Sequence, residues 1–193
     1  MKTLLFVDCC ISQRREGSRT RALAESYLAA FRAKHPDWAV ERVDAAAALP
    51  PITEEFLDRR DALARKGDFQ DPLFDLARQF QRADAVVVAA PYWDLSYPAQ
   101  LKTYIEHVSA CGLCYHYEAD GCHGDCRAER LVYLTSGGDF EQKDSIGVAH
   151  FKQLCGLFGI PRFDSVFAGG LDIDPEKTRL LLEAALEKAR ALA

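Results

Sequence analysis

The chain has 193 residues, 49% hydrophobic and 27% charged, with a formal net charge of −5. That length buries one full core, and residues 1–193 read as a single domain. An acidic balance without a dominant basic block argues against nucleic acid or anionic membrane as the main partner. No span approaches the ~18–20 apolar residues of a transmembrane helix. The opening residues enter a strand pattern rather than a signal peptide, so a cytoplasmic protein is expected.

In chain order, Leu4-Leu5-Phe6-Val7 is a short continuous apolar run, the pattern of a buried parallel strand. Ser18 is placed to cap a helix whose inner face carries Leu23, Tyr27, Ala30 and Phe31. Trp38 to Asp44 alternates loosely, which suits an edge strand. The Pro50-Pro51 break opens a charged surface segment through Lys66, expected to be helical. Leu73, Leu76, Ala77 and Phe80 have helical spacing and lead into the apolar run Ala85 to Ala90.

Pro98 opens a helix with Leu101, Tyr104, Ile105 and Val108 on one face. Leu131 to Thr135 is the fourth strand, ending in Ser136-Gly137-Gly138-Asp139. Phe151, Leu154, Cys155 and Phe158 stripe another helix, stopped by Gly159. Ser165 to Ala168 is the fifth strand, and Asp174-Pro175-Glu176 caps the last helix.

This alternation predicts an α/β flavodoxin-like three-layer sandwich: a five-stranded parallel sheet of order 2-1-3-4-5 with helices on both faces. In that order the carboxyl ends of strands one, three and four surround one crevice, where open α/β sheets bind ligands.

Each of those ends carries an unusual loop. Cys9 to Thr20 leads into a helix N-terminus, an anion site by its free N–H groups and dipole, with Ser18, Arg19 and Thr20 adding donors and charge. Without a Gly-x-Gly-x-x-Gly fingerprint, a monophosphate fits better than a dinucleotide pyrophosphate. Asp8 reads as a solvated strand end. The loop Pro91 to Ser96 sets Tyr92 and Trp93 beside Asp94 and Ser96, implying an exposed aromatic turn suited to a flat ring system. At Ser136-Gly137-Gly138-Asp139 the glycines let backbone N–H groups approach a ligand closely.

Three blocks carry a resemblance: Gly17-Ser18-Arg19-Thr20; Pro91-Tyr92-Trp93-Asp94-Leu95-Ser96 followed by Pro98-Ala99-Gln100-Leu101-Lys102; and Thr135-Ser136-Gly137-Gly138. Together they resemble the FMN-dependent NADH-azoreductases and related NAD(P)H:quinone oxidoreductases, over essentially the whole chain. The resemblance implies FMN phosphate on Ser18, Arg19 and Thr20, with Cys10, Ser12 and Gly17 in the same loop. It puts the flavin ring against Pro91, Tyr92, Trp93, Asp94 and Leu95, and its polar edge near Ser136, Gly137, Gly138 and Asp139. There the Gly137 and Gly138 N–H groups would steady developing negative charge.

NADH or NADPH would be the co-substrate, and a quinone, azo compound or other flat molecule the acceptor, in ping-pong order. His116 or Tyr117 is a hypothetical proton donor to the acceptor. The resemblance also implies a homodimer with sites at the interface, to which Tyr115 to Tyr117 of a partner would contribute. The family often has Ser where Cys10 stands and Asn where Asp94 stands. An ionised Asp94 near the flavin would lower its potential.

Cys111, Cys114, Cys122 and Cys126, with His116 and His123 between them, resemble a ligand cluster but match no standard metal spacing, and reduced thiols without a metal are expected. The first pair is expected at a helix end, the second on a mobile loop. His35, His107 and His150 read as structural, His35 in a solvated turn. Two rival readings remain open. One is a low-molecular-weight tyrosine phosphatase using Cys9 and Arg15 in a Cys-x5-Arg loop. The other is a non-catalytic flavodoxin-type electron carrier.

Overall fold

Apolar runs too short for helices and bare of charge form the centre of the molecule. In the computed structural model, which describes residues 1–11, 17–47, 49–140 and 145–193, they are β1 (Thr3–Asp8), β3 (Ala85–Ala89) and β6 (Arg130–Ser136). Residues Leu4, Leu5, Val87, Ala89, Tyr133 and Leu134 are fully buried in these strands, because both faces of the sheet are covered. β2 (Ala39–Asp44) and β7 (Arg162–Ala168) flank them and are only partly buried, as edge strands are.

All four pairings in this sheet are parallel, and the order is β2-β1-β3-β6-β7. Chain numbering thus departs from 2-1-3-4-5, because an antiparallel hairpin, β4 (Tyr115–Glu118) and β5 (Gly121–Gly124), is inserted between the third and fourth sheet strands. β7 also begins at Arg162, three residues before the apolar stretch at Ser165: its first half lies against solvent, so hydropathy does not mark it.

One face of the sheet packs against α1 (Arg19–Lys34) and α6 (Pro175–Leu192), through Leu23, Tyr27, Phe31, Ala185 and Ala189. The other packs against α3 (Asp75–Arg82), α4 (Ala99–Val108) and α5 (Ile146–Phe158), through Ala77, Phe80, Leu101, Tyr104, Phe151 and Phe158. α2 (Glu54–Arg65) has no fully buried residue and lies over that second face by Leu63. Burying each Leu or Phe in these layers contributes about 1.5–3 kcal/mol.

The helix starts follow local chemistry. Ser18 Oγ accepts the Arg21 N–H (3.3 Å) and Asp174 Oδ1 accepts the Glu176 N–H (3.1 Å), with Pro175 in the first turn of α6. Pro98 precedes α4 as its cap residue rather than lying inside the first turn.

Asp8 is not solvated. It is 2% exposed, and its carboxylate accepts from Arg42 (2.6 Å), Arg21 (3.4 Å) and the Cys10 N–H (3.0 Å). A charge buried among apolar residues needs such partners. The two arginines come from β2 and α1, so Asp8 ties both neighbours to the carboxyl end of β1.

The hairpin packs on the helix ends, and of the second cysteine pair Cys122 lies in β5 and Cys126 just after it. Gly124 lies so close to the end of α5 that a Cβ there would come within 2.0 Å of Gly159 N and Phe158 C. Only glycine allows that approach. Cys126 N–H donates to Phe158 O, and Gln81 at the end of α3 donates to Asp125 O. Likewise, His35 is not a free solvated side chain: its ring packs between Phe31 (4.6 Å) and Trp38 (5.5 Å).

Candidate active site

Because the sheet is parallel, the segments after Asp8, Ala89 and Ser136 all leave from the same edge. Ser136 joins them. Its hydroxyl lies 2.6 Å from Thr20 Oγ1 in the first turn of α1, and its carbonyl accepts the Tyr92 N–H at 2.9 Å. One residue thereby fixes the α1 start and the aromatic loop to the end of β6.

The aromatic loop is a tight two-residue turn. Trp93 and Ser96 exchange both backbone hydrogen bonds, at 3.2 and 2.8 Å, around Asp94 (φ 48°) and Leu95 (φ 65°). Such a turn matches the twist of a hairpin but normally takes Asn-Gly or Gly. Holding Leu in the left-handed region costs on the order of 1–2 kcal/mol. The turn presents Trp93 and Leu95 outward, 45% and 61% exposed, with Asp94 exposed between them.

Tyr92 turns inward instead. Its ring meets Phe167 edge-on at 5.0 Å and covers Gly137, where a Cβ would lie 3.1 Å from the Tyr92 ring and 3.0 Å from Phe167. Tyr92 therefore supports the turn from beneath. Pro91 lies half-buried just before it.

Gly137 N–H donates to Ala168 O at 3.0 Å, which removes it from the expected pair of ligand donors. The cause is the sheet itself: β6 and β7 pair through Ser136 and Ala168, and Gly137 extends that ladder by one bond. For Gly138 N–H no partner occurs among the described residues. Asp139 is exposed, its carbonyl accepting from Gly170 N–H at 2.8 Å.

A fourth segment, Gly169 to Asp174, also reaches this edge. Asp172 N–H donates to Gly138 O (3.0 Å), and the Asp172 carboxylate pairs with Arg19 at 2.6 Å. A Cβ on Gly138 would lie 2.4 Å from that carboxylate. The sequence reading missed Asp172 and Phe167. Gly169-Gly170 directly after a strand is the same signal that marks Gly137-Gly138, and was available.

Of the remaining expected residues, Gly17, Ser18, Arg19 and Thr20 lie at the α1 start, Ser18 as its cap and Thr20 buried. Cys10 is 5% exposed, its thiol beside Ala89 O and its carbonyl accepting from Arg21. Burial, then the neighbouring Asp8 charge, pushes the Cys10 thiol up. Ser12 and Arg15 lie outside the described residues.

His116 and Tyr117 are not brought to this edge. They lie on β4, in the hairpin seated on the ends of α3 and α5, and no contact among the described residues joins them to the three loops. Helices α3 and α5 both run towards the amino ends of the sheet strands, which carries the hairpin base away from the crevice. His116 is flanked by Asp125 (2.8 Å) and Glu118 (3.2 Å), which raise its pKa; Tyr117 is 68% exposed.

Cys9 does not suit a phosphatase nucleophile. It is fully buried, and desolvation followed by the Asp8 charge pushes its thiol up to about 12. A phosphate-attacking cysteine needs the opposite, an accessible thiolate near neutral pH. The four later cysteines do not converge: Cys114 is buried with its thiol on Ala77 O, whereas Cys111 and Cys122 are exposed.

Comparison with known proteins agrees with this architecture. A family model described as "Flavodoxin-like fold" matches residues 2–193. An "FMN-dependent NADH:quinone oxidoreductase 5" of Pseudomonas fluorescens is 33% identical over 179 residues, covering 87% of this chain and 86% of that protein. An "FMN-dependent NADH:quinone oxidoreductase 2" of Clostridium acetobutylicum is 29% identical over 180 residues, covering 90% and 89%. Among solved structures, an azoreductase from Bacillus anthracis superposes with a TM-score of 0.85 at 25% identity, covering 100% of this chain and 98% of that one. The chain belongs to the flavodoxin-like fold family Flavodoxin_2.

Proposed function

We propose that this protein is an FMN-dependent oxidoreductase that takes hydride from NADH and passes it to a quinone, an azo compound or a similar flat acceptor. The relatives named above are NADH:quinone oxidoreductases and azoreductases, and the resemblance of the three loops points the same way. The single observation that carries the reading is the junction at Ser136, which holds the α1 start, the aromatic turn and the glycine loop around one crevice.

The residues present fit FMN. The α1 N-terminus and the Ser18–Thr20 segment offer N–H groups, a dipole and a cation to a phosphate. The outward Trp93 and Leu95 side chains form an apolar wall for a planar ring. The missing side chains at Gly137 and Gly138 make room for Tyr92, Phe167 and Asp172 at the opposite rim, where the Gly138 N–H has no partner among the described residues. FMN, when bound, supplies two-electron acceptance and release at its own ring.

The chain's part is to orient and shield. Tyr92 under the turn fixes the height of the wall, and the strained Asp94-Leu95 pair sets its angle. Arg19 must exchange Asp172 for a phosphate; because that ion pair is largely exposed, parting it costs at most about 1 kcal/mol. Asp94 places a carboxylate at the wall, where it opposes build-up of negative charge on the ring.

Residues 1–193 are read as one domain, cytoplasmic, and a homodimer. Among the described residues no helix is long and apolar enough to cross a membrane. Exposed Tyr117 and its neighbour Tyr115 form an aromatic face on the hairpin, suited to reach a second subunit. His116 and Tyr117 would therefore act only across such an interface, with solvent supplying protons within one chain. NADPH is the alternative donor.

The test is direct. The purified chain, loaded with FMN and desalted, should retain flavin and oxidise NADH when a quinone or azo dye is added. Retained flavin without acceptor-dependent NADH oxidation would favour an electron carrier instead.

A further inference from the structure

The hairpin carries a cluster of histidines and carboxylates that the crevice within one chain does not use. Residues 115–124 pair Tyr115 with Gly124, His116 with His123, Tyr117 with Cys122 and Glu118 with Gly121. Directly opposed residues share a face, and alternate residues switch face. His116, Glu118 and His123 therefore lie together, while Tyr115, Tyr117 and Cys122 lie on the other side. The ring contacts agree: His116 stacks on His123 at 5.6 Å, and Tyr115 meets Tyr117 at 5.9 Å. Asp120 in the turn completes the histidine face.

From this geometry we infer that Glu118, Asp120 and His123 form a binding site for a divalent transition-metal ion of the Zn2+ type. One ligand atom from each lies within 4.8 Å of the others. His123 Nε2 and Asp120 Oδ1 are 2.8 Å apart, joined by a single proton. A tetrahedral ion with bonds of roughly 2.0–2.1 Å holds its donors ~3.3 Å apart, so replacing that proton by a metal opens the pair by only about half an ångström. An imidazole with two carboxylates selects Zn2+ over Ca2+ or Mg2+, which take oxygen ligands.

His116 is a positioning residue rather than a ligand. Its Nε2 holds Glu118 Oε1 (3.2 Å), and its Nδ1 is held in turn by Asp125 Oδ2 (2.8 Å). Hydrogen bonds to a ligating carboxylate fix its direction and are worth 10–100-fold in affinity. Pairing of Glu118 with Gly121 closes the short turn that sets Asp120 beside His123. Cys122 faces away and takes no part. Its three ligands, Glu118, Asp120 and His123, have no part in the flavin reading, so the site stands or falls separately.

Zn2+ titration of the full-length chain by calorimetry tests this, together with X-ray absorption at the zinc edge. One saturable site is expected, with only nitrogen and oxygen near 2.0–2.1 Å. His123→Ala and Glu118→Gln should each weaken it by ~30-fold or more. His116→Phe should weaken it ~10-fold or more, and His116→Gln, which keeps an N–H donor, should restore most of the loss. Cys111→Ser/Cys122→Ser should bind as the parent does. No saturable binding, unchanged binding in His123→Ala, sulfur scattering near 2.3 Å, or loss of the site in the cysteine variant would each overturn the proposal.

Discussion

Thr20 Oγ1 and Ser136 Oγ lie 2.6 Å apart across 116 residues of sequence, between the first turn of α1 and the carboxyl end of β6. Both side chains lie at the carboxyl edge of the sheet, so their bond sets the spacing between the start of α1, the proposed phosphate site, and the glycine loop after β6. Thr20→Val keeps the shape and removes the bond. Fluorescence titration should show FMN affinity falling by about tenfold, the ~1–1.5 kcal/mol of one hydrogen bond. An unchanged affinity would mean that the two loops are held by other contacts.

Gly137→Ala should disturb the aromatic turn from below. The added methyl would sit 3.0 Å from Phe167 and 3.1 Å from Tyr92, so one ring must move. Flavin retention is expected to fall severalfold, while far-ultraviolet circular dichroism stays that of the parent, because the strand beneath is intact.

Leu95→Gly should stabilise the protein. Leu95 has φ 65°, and glycine occupies that region without steric cost. A gain of about 1 kcal/mol raises Tm by roughly 2–4 °C for a chain of this size. The same change removes an exposed apolar side chain from the proposed flavin wall, so FMN affinity should fall as Tm rises. Opposite movements of the two quantities are the signature of strain kept for binding.

These residues also show what the sequence made legible. The buried strands and the Ser18 and Asp174 caps were readable because continuous apolar runs and cap chemistry are local signals. So was the position of the aromatic loop at a strand's carboxyl end. The left-handed backbone at Asp94-Leu95 was not, since neither residue advertises it. The burial of Asp8 was hidden as well: its partners Arg21 and Arg42 come from elements that only the folded sheet brings near. Gly137 N–H read as a ligand donor because its partner, Ala168 O, lies on a strand whose register no local pattern fixes. Which end of the sheet His116 and Tyr117 join was not legible either, because a short hairpin after α4 carries no local sign of it.

Thiol labelling separates the buried and exposed cysteines. Cys9, with its thiol pushed up to about 12, and buried Cys10 should resist iodoacetamide in the native protein at mildly alkaline pH. Exposed Cys111 and Cys122 should react. Cys9→Ser should retain NADH oxidation, and the protein should not hydrolyse aryl phosphates. Rapid native modification of Cys9 would revive the phosphatase reading.

Two histidines should titrate in opposite directions by NMR. Hydrogen bonds donated by its ring to the Asp125 and Glu118 carboxylates raise His116 above the ordinary 6.5. Its contribution to stability is full below that value and is lost as pH rises through the raised one. Burial first, and Lys102 second, lower His150, whose ring also bonds the Tyr97 hydroxyl. Its contribution is full above 6.5 and is lost as pH falls through the lowered value. Coincident midpoints for the two rings would contradict both environments.

The most direct measurement is a crystal structure of the protein soaked with FMN. The flavin ring should lie between the Trp93–Leu95 turn and the Gly137-Gly138 rim, with its phosphate at the start of α1 and Arg19 turned from Asp172 towards it. A flavin bound elsewhere, or an Arg19–Asp172 pair left intact at saturating FMN, would contradict the account.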